Sequence, residues 1–232
     1  MNIVERVDEW VTIRNVLVSV SDKTGLEVLI PGLIDVSPDV RFYSTGGTFK
    51  AMTRILGPAR SARHLIQVSD YTGQPETQGG LVKTLDFKIY LGLLTETYNG
   101  AHQADLERAG AVPIDMVLVN LYPFEATVAH DDATVEVARA HIDIGGPCMI
   151  RAAAKNYLRV APVVDPADYA SLLASLQTHS GRLSLVDRFQ LARKAFAHTA
   201  AYEKAISEYL ALQEPQIVPS TYSLEQRHVE DD

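Results

Sequence analysis

A single cysteine, Cys148, is all the thiol that 232 residues contain. That excludes an internal disulfide framework and fits a reducing compartment. The thiol is expected as a small buried group behind Pro147 rather than as a nucleophile. Long hydrophobic runs are missing too: no uninterrupted apolar stretch approaches the roughly 20 residues that span a bilayer. The amino end, Met1 to Trp10, carries Glu5, Asp8 and Glu9 and has no apolar signal core. No membrane partner is expected, and the cytoplasm is the expected location. Cations are scarce, 21 Lys and Arg against 29 Asp and Glu, for a net charge of -8. A general nucleic-acid binder is thereby excluded, because phosphate-backbone affinity needs clustered cations, so any phosphate bound here must meet a local cationic site. The seven histidines lack metal-ligand spacing, no metal site is expected, and no internal repeat occurs. What remains, 47% hydrophobic and 22% charged, describes an ordinary soluble globular protein with length for one large domain, or for a main domain with a helical extension.

Apolar β-branched runs alternate with stretches of helical spacing. Val11–Val20 reads as a strand, Ser21-Asp22-Lys23-Thr24-Gly25 as a loop and Leu26–Ile34 as a helix. Val40–Tyr43 follows as a strand, Ser44-Thr45-Gly46-Gly47-Thr48 as a polar turn, Phe49–Ile55 as a helix and His64–Val68 as a strand. Further strands are expected at Met116–Leu121 and Val160–Val164, with helices at Asp105–Ala109, Thr134–His141 and Asp168–Leu176. Such alternation predicts an α/β fold with a doubly wound, mostly parallel sheet. Leu183–Leu212 has amphipathic spacing and predicts carboxy-terminal helices for packing or a partner, and residues 213–232 read as a disordered tail. The expected division is therefore a domain over 1–212 and a tail over 213–232.

A parallel sheet gathers its ligand-binding loops at the carboxyl ends of the strands. Ser19, Ser21 and Lys23 in one loop, with Ser44, Gly46, Gly47 and Thr48 in another, therefore converge as a candidate phosphate cradle. Neither loop has the Walker or the G-x-G-x-x-G spacing. Lys83-Thr84 offers a second cation and hydroxyl, although a lone Lys-Thr pair is more often surface, and Tyr122 leaves the Met116 strand at the ligand edge. The organising stretch runs from Ile142-Asp143 through Gly145-Gly146-Pro147 to Lys155-Asn156, and a helix is expected to start at Pro147. Arg151 and Lys155 fall on one face of that helix, and an anionic ligand or Asp143 is their natural partner; an ordinary buried Ala-rich helix with two solvated cations is the equal alternative.

Taken in order, V-S-V-S-D-K-T-G, S-T-G-G-T, V-S-D-Y-T-G-Q-P-E, V-K-T-L, V-N-L-Y-P-F, I-D-I-G-G-P, R-A-A-A-K-N and K-A-F-A-H-T-A-A-Y resemble the inosine monophosphate cyclohydrolase domain of the bifunctional purine-biosynthesis enzymes. The resemblance covers roughly Val16 to Leu210. It implies a methylglyoxal-synthase-like fold, a homodimer, and a chain without the formyltransferase domain, to which a separate formyltransferase would supply substrate. It also implies a hydrolase acting on cyclic amidines. The substrate is the ribonucleotide of 5-formamidoimidazole-4-carboxamide, whose carboxamide nitrogen attacks the formyl carbon to give inosine monophosphate and water, with no cofactor. By motif match the catalytic residues are Lys83, Tyr122, Asp143 and Lys155. Lys155 and Tyr122 take orientation and proton transfer, Asp143 the carboxamide N–H, and Lys83 the formyl oxygen. Substrate and phosphate contacts fall on Ser19, Ser21, Lys23, Ser44, Gly46, Gly47, Thr48, Thr84, Asn120, Gly145 and Gly146.

The sequence leaves the family pattern in one loop, where Leu81 stands for an arginine and Asp86 and Tyr90 stand for histidines. An apolar Leu cannot replace five N–H donors and a fixed charge. Two alternatives follow: a diverged paralog that closes a related ring on a modified nucleotide in a nucleoside natural-product pathway, and a nucleotide-binding protein without catalysis.

Overall fold

The computed structural model describes residues 3–75, 83–130 and 132–225. Leu81, the most prominent departure from the family pattern, lies outside these residues, as does the acidic terminus at 226–232. The chain divides into two compact units, residues 1–121 with 143–199, and residues 122–142 with 200–232.

In the first unit, five strands form one parallel sheet: β2 (Asn15–Val20), β3 (Arg41–Ser44), β4 (Leu65–Gln67), β5 (Met116–Asn120) and β6 (Ala161–Val163). Their order is β4-β3-β2-β5-β6. Every residue of β5 is buried, as expected of a strand covered on both faces. The chain runs outward from β2 through β3 to β4, then returns to the other side of β2 with β5. That reversal puts the topological switch point between β2 and β5.

The sequence-based strand Val11–Val20 is corrected to two elements. β1 (Trp10–Thr12) pairs antiparallel with β7 (Arg182–Ser184) in a separate ribbon. The break has a physical cause: the buried Asp115 carboxylate accepts the N–H groups of Arg14 at 3.0 Å and Asn15 at 2.8 Å, which removes them from any ladder.

Helices α1 (Leu26–Val36) and α2 (Gly46–His64) cross between the first strands. Helix α1 buries Leu26, Leu29, Ile30, Leu33 and Ile34, the i, i+3, i+4 stripe that its sequence promises. Helix α2 begins three residues before the expected start and runs nine beyond the expected end, with a kink at Gly57 (φ 69°) where Pro58 opens a second segment. A short helix, α3 (Val68–Thr72), follows β4, and α4 (Phe87–Leu94), α5 (Gly100–Ala109), α8 (Gly145–Lys155) and α9 (Tyr169–Thr178) complete the layers. Helix α8 starts at Gly145, two residues ahead of the Pro147 start read from sequence. The expected group of carboxy-terminal helices is one 27-residue helix, α10 (Leu185–Ala211), whose residues fall in both units.

The second unit contains α6 (Phe124–Val128), α7 (Val135–Ala140) and α11 (Ile217–Thr221). Phe124 meets the ring edges of Tyr202 and Tyr209 at 6.2 and 5.9 Å. The described part of the expected disordered tail thus holds a helix, and the Tyr222 hydroxyl donates to Glu136 at 2.5 Å. Among the described residues no helix is long and apolar enough to cross a membrane.

Candidate active site

At the switch point the loop after β2 is built by Asn120, the last residue of β5. Its Oδ1 accepts the N–H groups of Ser21 at 2.6 Å and Asp22 at 2.8 Å, while its Nδ2 donates to the Asp22 carbonyl at 2.8 Å. Expected to touch substrate, Asn120 instead gives its amide to the loop. Asp22 accepts from Thr24 N–H and hydroxyl, and those two bonds hold its pKa below the usual carboxylate value. The exposed Lys23 ammonium folds back onto the carbonyls of Ser21 (3.2 Å) and Val20 (3.4 Å).

Two hydroxyls of the expected cradle are turned inward. Ser44 is fully buried and donates to the Val18 carbonyl at 2.8 Å. Thr48 Oγ1 accepts Val20 N–H at 3.1 Å and donates to the Val20 carbonyl at 3.0 Å. These side chains fasten β3 and α2 to β2, which frees neither hydroxyl for a phosphate. What the second loop offers is backbone. Thr45 is extended and makes no side-chain cap, so the first-turn N–H groups of α2, from Gly46 to Thr48, have no intrahelical acceptor. Gly46 takes φ +54°, and a methyl group on it would lie 3.2 Å from the Lys83 ammonium. Exposed Gly47 has open space around its Cα. Ser19 is half-buried at the end of β2, with its backbone in register with Val119.

A second helix amino end stands nearby in the same arc of residues. The buried Thr84, next to Lys83, places its hydroxyl 3.0 Å from where a methyl on Gly145 would be. Asp143 Oδ1 accepts Gly146 N–H at 2.9 Å. A side chain at Gly146 would fall 2.5 Å from Asp143 Oδ2 and 2.6 Å from Leu121 Cδ2, so only glycine fits beneath that carboxylate. Burial raises the Asp143 pKa above its ordinary value, opposed by the N–H groups of Gly146 and Gly145. Lys83, Thr84, Asp143, Gly145, Gly146 and Gly46 are therefore brought together at the carboxyl edge of the sheet.

Lys155 is not. It closes the last turn of α8, exposed, ten residues from Gly145, which at 1.5 Å per residue is about 15 Å away and toward the opposite edge of the sheet. Arg151, one turn earlier, stacks over the Phe196 ring at 5.7 Å. Tyr122 belongs to the second unit, where it is 57% exposed.

The two departures that fall within the described residues have local employment. Asp86 is the amino cap of α4 and accepts Lys88 N–H at 2.8 Å. The Tyr90 hydroxyl is buried against the half-buried Cys148, and burial pushes its pKa up. Sequence reading gave no role to Asn156, whose buried amide donates to the carbonyls of Leu93 and Thr95. Its signal was its place at the end of the organising stretch and of the R-A-A-A-K-N motif.

Residues 32–148 match the family model of the MGS-like domain, and residues 153–231 match that of the AICARFT/IMPCHase bienzyme. The chain is 46% identical over 222 residues to the bifunctional purine biosynthesis protein PurH of Magnetococcus marinus, covering 94% of this chain and 40% of that protein. The PurH of Lactiplantibacillus plantarum is 46% identical over 214 residues, again covering 40% of its length, and that of Neisseria meningitidis is 44% identical over 210, covering 38%. The chain thus spans about two fifths of these relatives. The crystal structure of ForH superimposes with a TM-score of 0.69 at 30% identity, covering 85% of this chain and 98% of that one.

Proposed function

The chain belongs to the MGS-like domain family, and on that premise we propose that it is an inosine monophosphate cyclohydrolase, closing the purine ring of the 5-formamidoimidazole-4-carboxamide ribonucleotide with loss of water. The observation that carries the reading is the meeting of two helix amino ends at the switch point, one facing the Lys83 ammonium and the other holding the Asp143 carboxylate. The open N–H groups of α2 and Lys23 bind the phosphate, as helix amino ends bind anions. Asp143 accepts the N–H of the attacking carboxamide, and Lys83 donates to the formyl oxygen as charge develops there. A bond forms between carboxamide nitrogen and formyl carbon to give a carbinolamine. Its hydroxyl then leaves as water with the remaining N–H proton.

Lys155 enters only through a homodimer in this reading. Lys155 lies ten residues along α8 from Gly145, about 15 Å at 1.5 Å per residue, and that separation supports a site served by the Lys155 of a second copy. A formyltransferase supplies the substrate, and the reaction belongs to the cytoplasm. Asp86 and Tyr90 favour the ordinary substrate over a modified one, because a helix cap and a phenol packed on Cys148 fill structural posts. The test is turnover of the formamido nucleotide by the purified chain, followed through the ultraviolet absorbance of the purine. Tight binding of inosine monophosphate without any turnover would leave a nucleotide-binding protein and overturn the proposal.

A further inference from the structure

Helices α4 and α8 pack side by side, joined at both ends. Toward their amino ends Tyr90 meets Cys148, and Thr84, just ahead of α4, meets Gly145. At the carboxyl end of α4 the last carbonyls need partners that the helix cannot provide. They come from the residues after α8: Asn156 Nδ2 donates to Leu93 O at 2.8 Å and Thr95 O at 2.9 Å, and Arg159 donates to Gly92 O and Thr95 O. The Asn156 carbonyl in turn accepts Arg159 N–H at 3.0 Å and Val160 N–H at 2.8 Å, turning the chain into β6. Asn156 is only 5% exposed, and the residue before it is Lys155.

We propose that Asn156 is a positioning residue for Lys155: its amide locks the end of α8 to the end of α4, and so fixes the ammonium of Lys155 in register with the Lys83-Thr84 and Gly145 ends of the same helix pair. The inference rests on the cyclohydrolase reading and deepens it. One face of the pair completes the chain's own site while the opposite end presents Lys155 to the site of the second copy, so the pair acts as a strut between two active sites. An apolar cap would satisfy neither carbonyl, and a longer amide would satisfy both while moving the strut.

The test uses the full chain with Asn156→Gln and Asn156→Ala, and Leu176→Ala as a stability control, since Leu176 is a fully buried core residue of α9. Asn156→Gln keeps both donors on a longer arm. Its melting temperature should stay near that of the parent while kcat drops by roughly tenfold or more, the scale on which misplacement of a reacting group acts. Affinity for inosine monophosphate should change less than about twofold, because the loops after β2 and β3 are untouched. Asn156→Ala should lose both stability and turnover. A readout independent of activity is the ¹³C resonance of reductively methylated Lys155, assigned with Lys155→Arg. It should move in both Asn156 variants and stay in Leu176→Ala. Turnover that merely tracks melting temperature across all three variants, or an unmoved Lys155 resonance, overturns the positioning role. If the parent chain has no turnover, the cyclohydrolase reading fails by itself, and the resonance still decides the fate of Asn156.

Discussion

Asp143 carries two opposing influences within one carboxylate. Burial raises its pKa above 3.8, and the N–H groups of Gly146 and Gly145 pull it down by less. A carboxyl whose folded pKa is raised binds its proton more tightly folded than unfolded, so its contribution to stability declines as pH rises from 3.8 through the folded value. Asp143→Asn keeps an oxygen for Gly146 N–H and removes the titration. Its melting temperature should therefore exceed that of the parent at pH 7 and match it below the carboxylate range, which a calorimetric series from pH 3 to 7 checks. Turnover should move the other way, falling roughly 10²- to 10⁴-fold as a proton acceptor is lost, while inosine monophosphate affinity changes little. A variant that loses binding and turnover in equal measure would remove Asp143 from the chemistry. The same carboxylate shows what sequence conveys. The glycines after Asp143 were legible as a turn into a helix, and the structure adds that a side chain at Gly146 would run into Asp143 and Leu121. The inward turn of Ser44 and Thr48 was not legible, since a hydroxyl beside glycines looks the same whether it faces a ligand or the carbonyl of a neighbouring strand.

Helix α2 was expected as a turn followed by a helix at Phe49, yet its first turn is the glycine segment itself. Glycine's poor helix propensity hides such a start, and only the extended Thr45 with the left-handed Gly46 reveals it. Gly46→Ala should cost about 1–2 kcal/mol of stability through the positive φ. It should also shift the first-turn N–H groups of α2 that bind the phosphate, lowering inosine monophosphate affinity by roughly tenfold, on the order of one charge-assisted hydrogen bond. Unchanged affinity by titration calorimetry would exclude the α2 end from the anion site. Helix α10 hides a different feature. An amphipathic reading puts arginines on the wet face, but Arg188 is fully buried and donates to the carbonyls of Asp8, Glu9, Tyr157, Leu158 and Leu183. Those five carbonyls come from three separate stretches of chain, so no local pattern announces the residue. Arg188→Met should destabilise by at least about 3 kcal/mol, because buried carbonyls lose donors worth roughly 1–3 kcal/mol each. Urea denaturation with a loss under 1 kcal/mol would mean that water replaces the guanidinium.

On the scale of the whole molecule, a doubly wound, mostly parallel sheet was readable because apolar β-branched runs alternate with stretches of helical spacing, whereas the strand order β4-β3-β2-β5-β6 and its switch point came only with the structure. Sequence could not show that Lys155 and Asp143 are kept apart, since twelve residues of separation say nothing until the helix between them has a length. If each site takes Asp143 from one copy and Lys155 from the other, two inactive variants can rescue one another. In a mixed dimer of Lys155→Ala with Asp143→Ala, the site built on the first copy's intact Asp143 receives an intact Lys155 from the second. The other site lacks both. Random exchange of equal amounts makes half of all dimers mixed, each with one working site of two, so activity should return to about a quarter of the parent level. If Lys155 instead acted within its own chain, every site in every dimer would lack one residue and no activity would return. Mixing the two purified variants, allowing subunits to exchange, and following purine absorbance over time distinguishes about one quarter from zero. Light scattering on the same samples establishes the dimer on which the arithmetic depends, and a monomer at micromolar concentration would sink the shared site before any rate was measured.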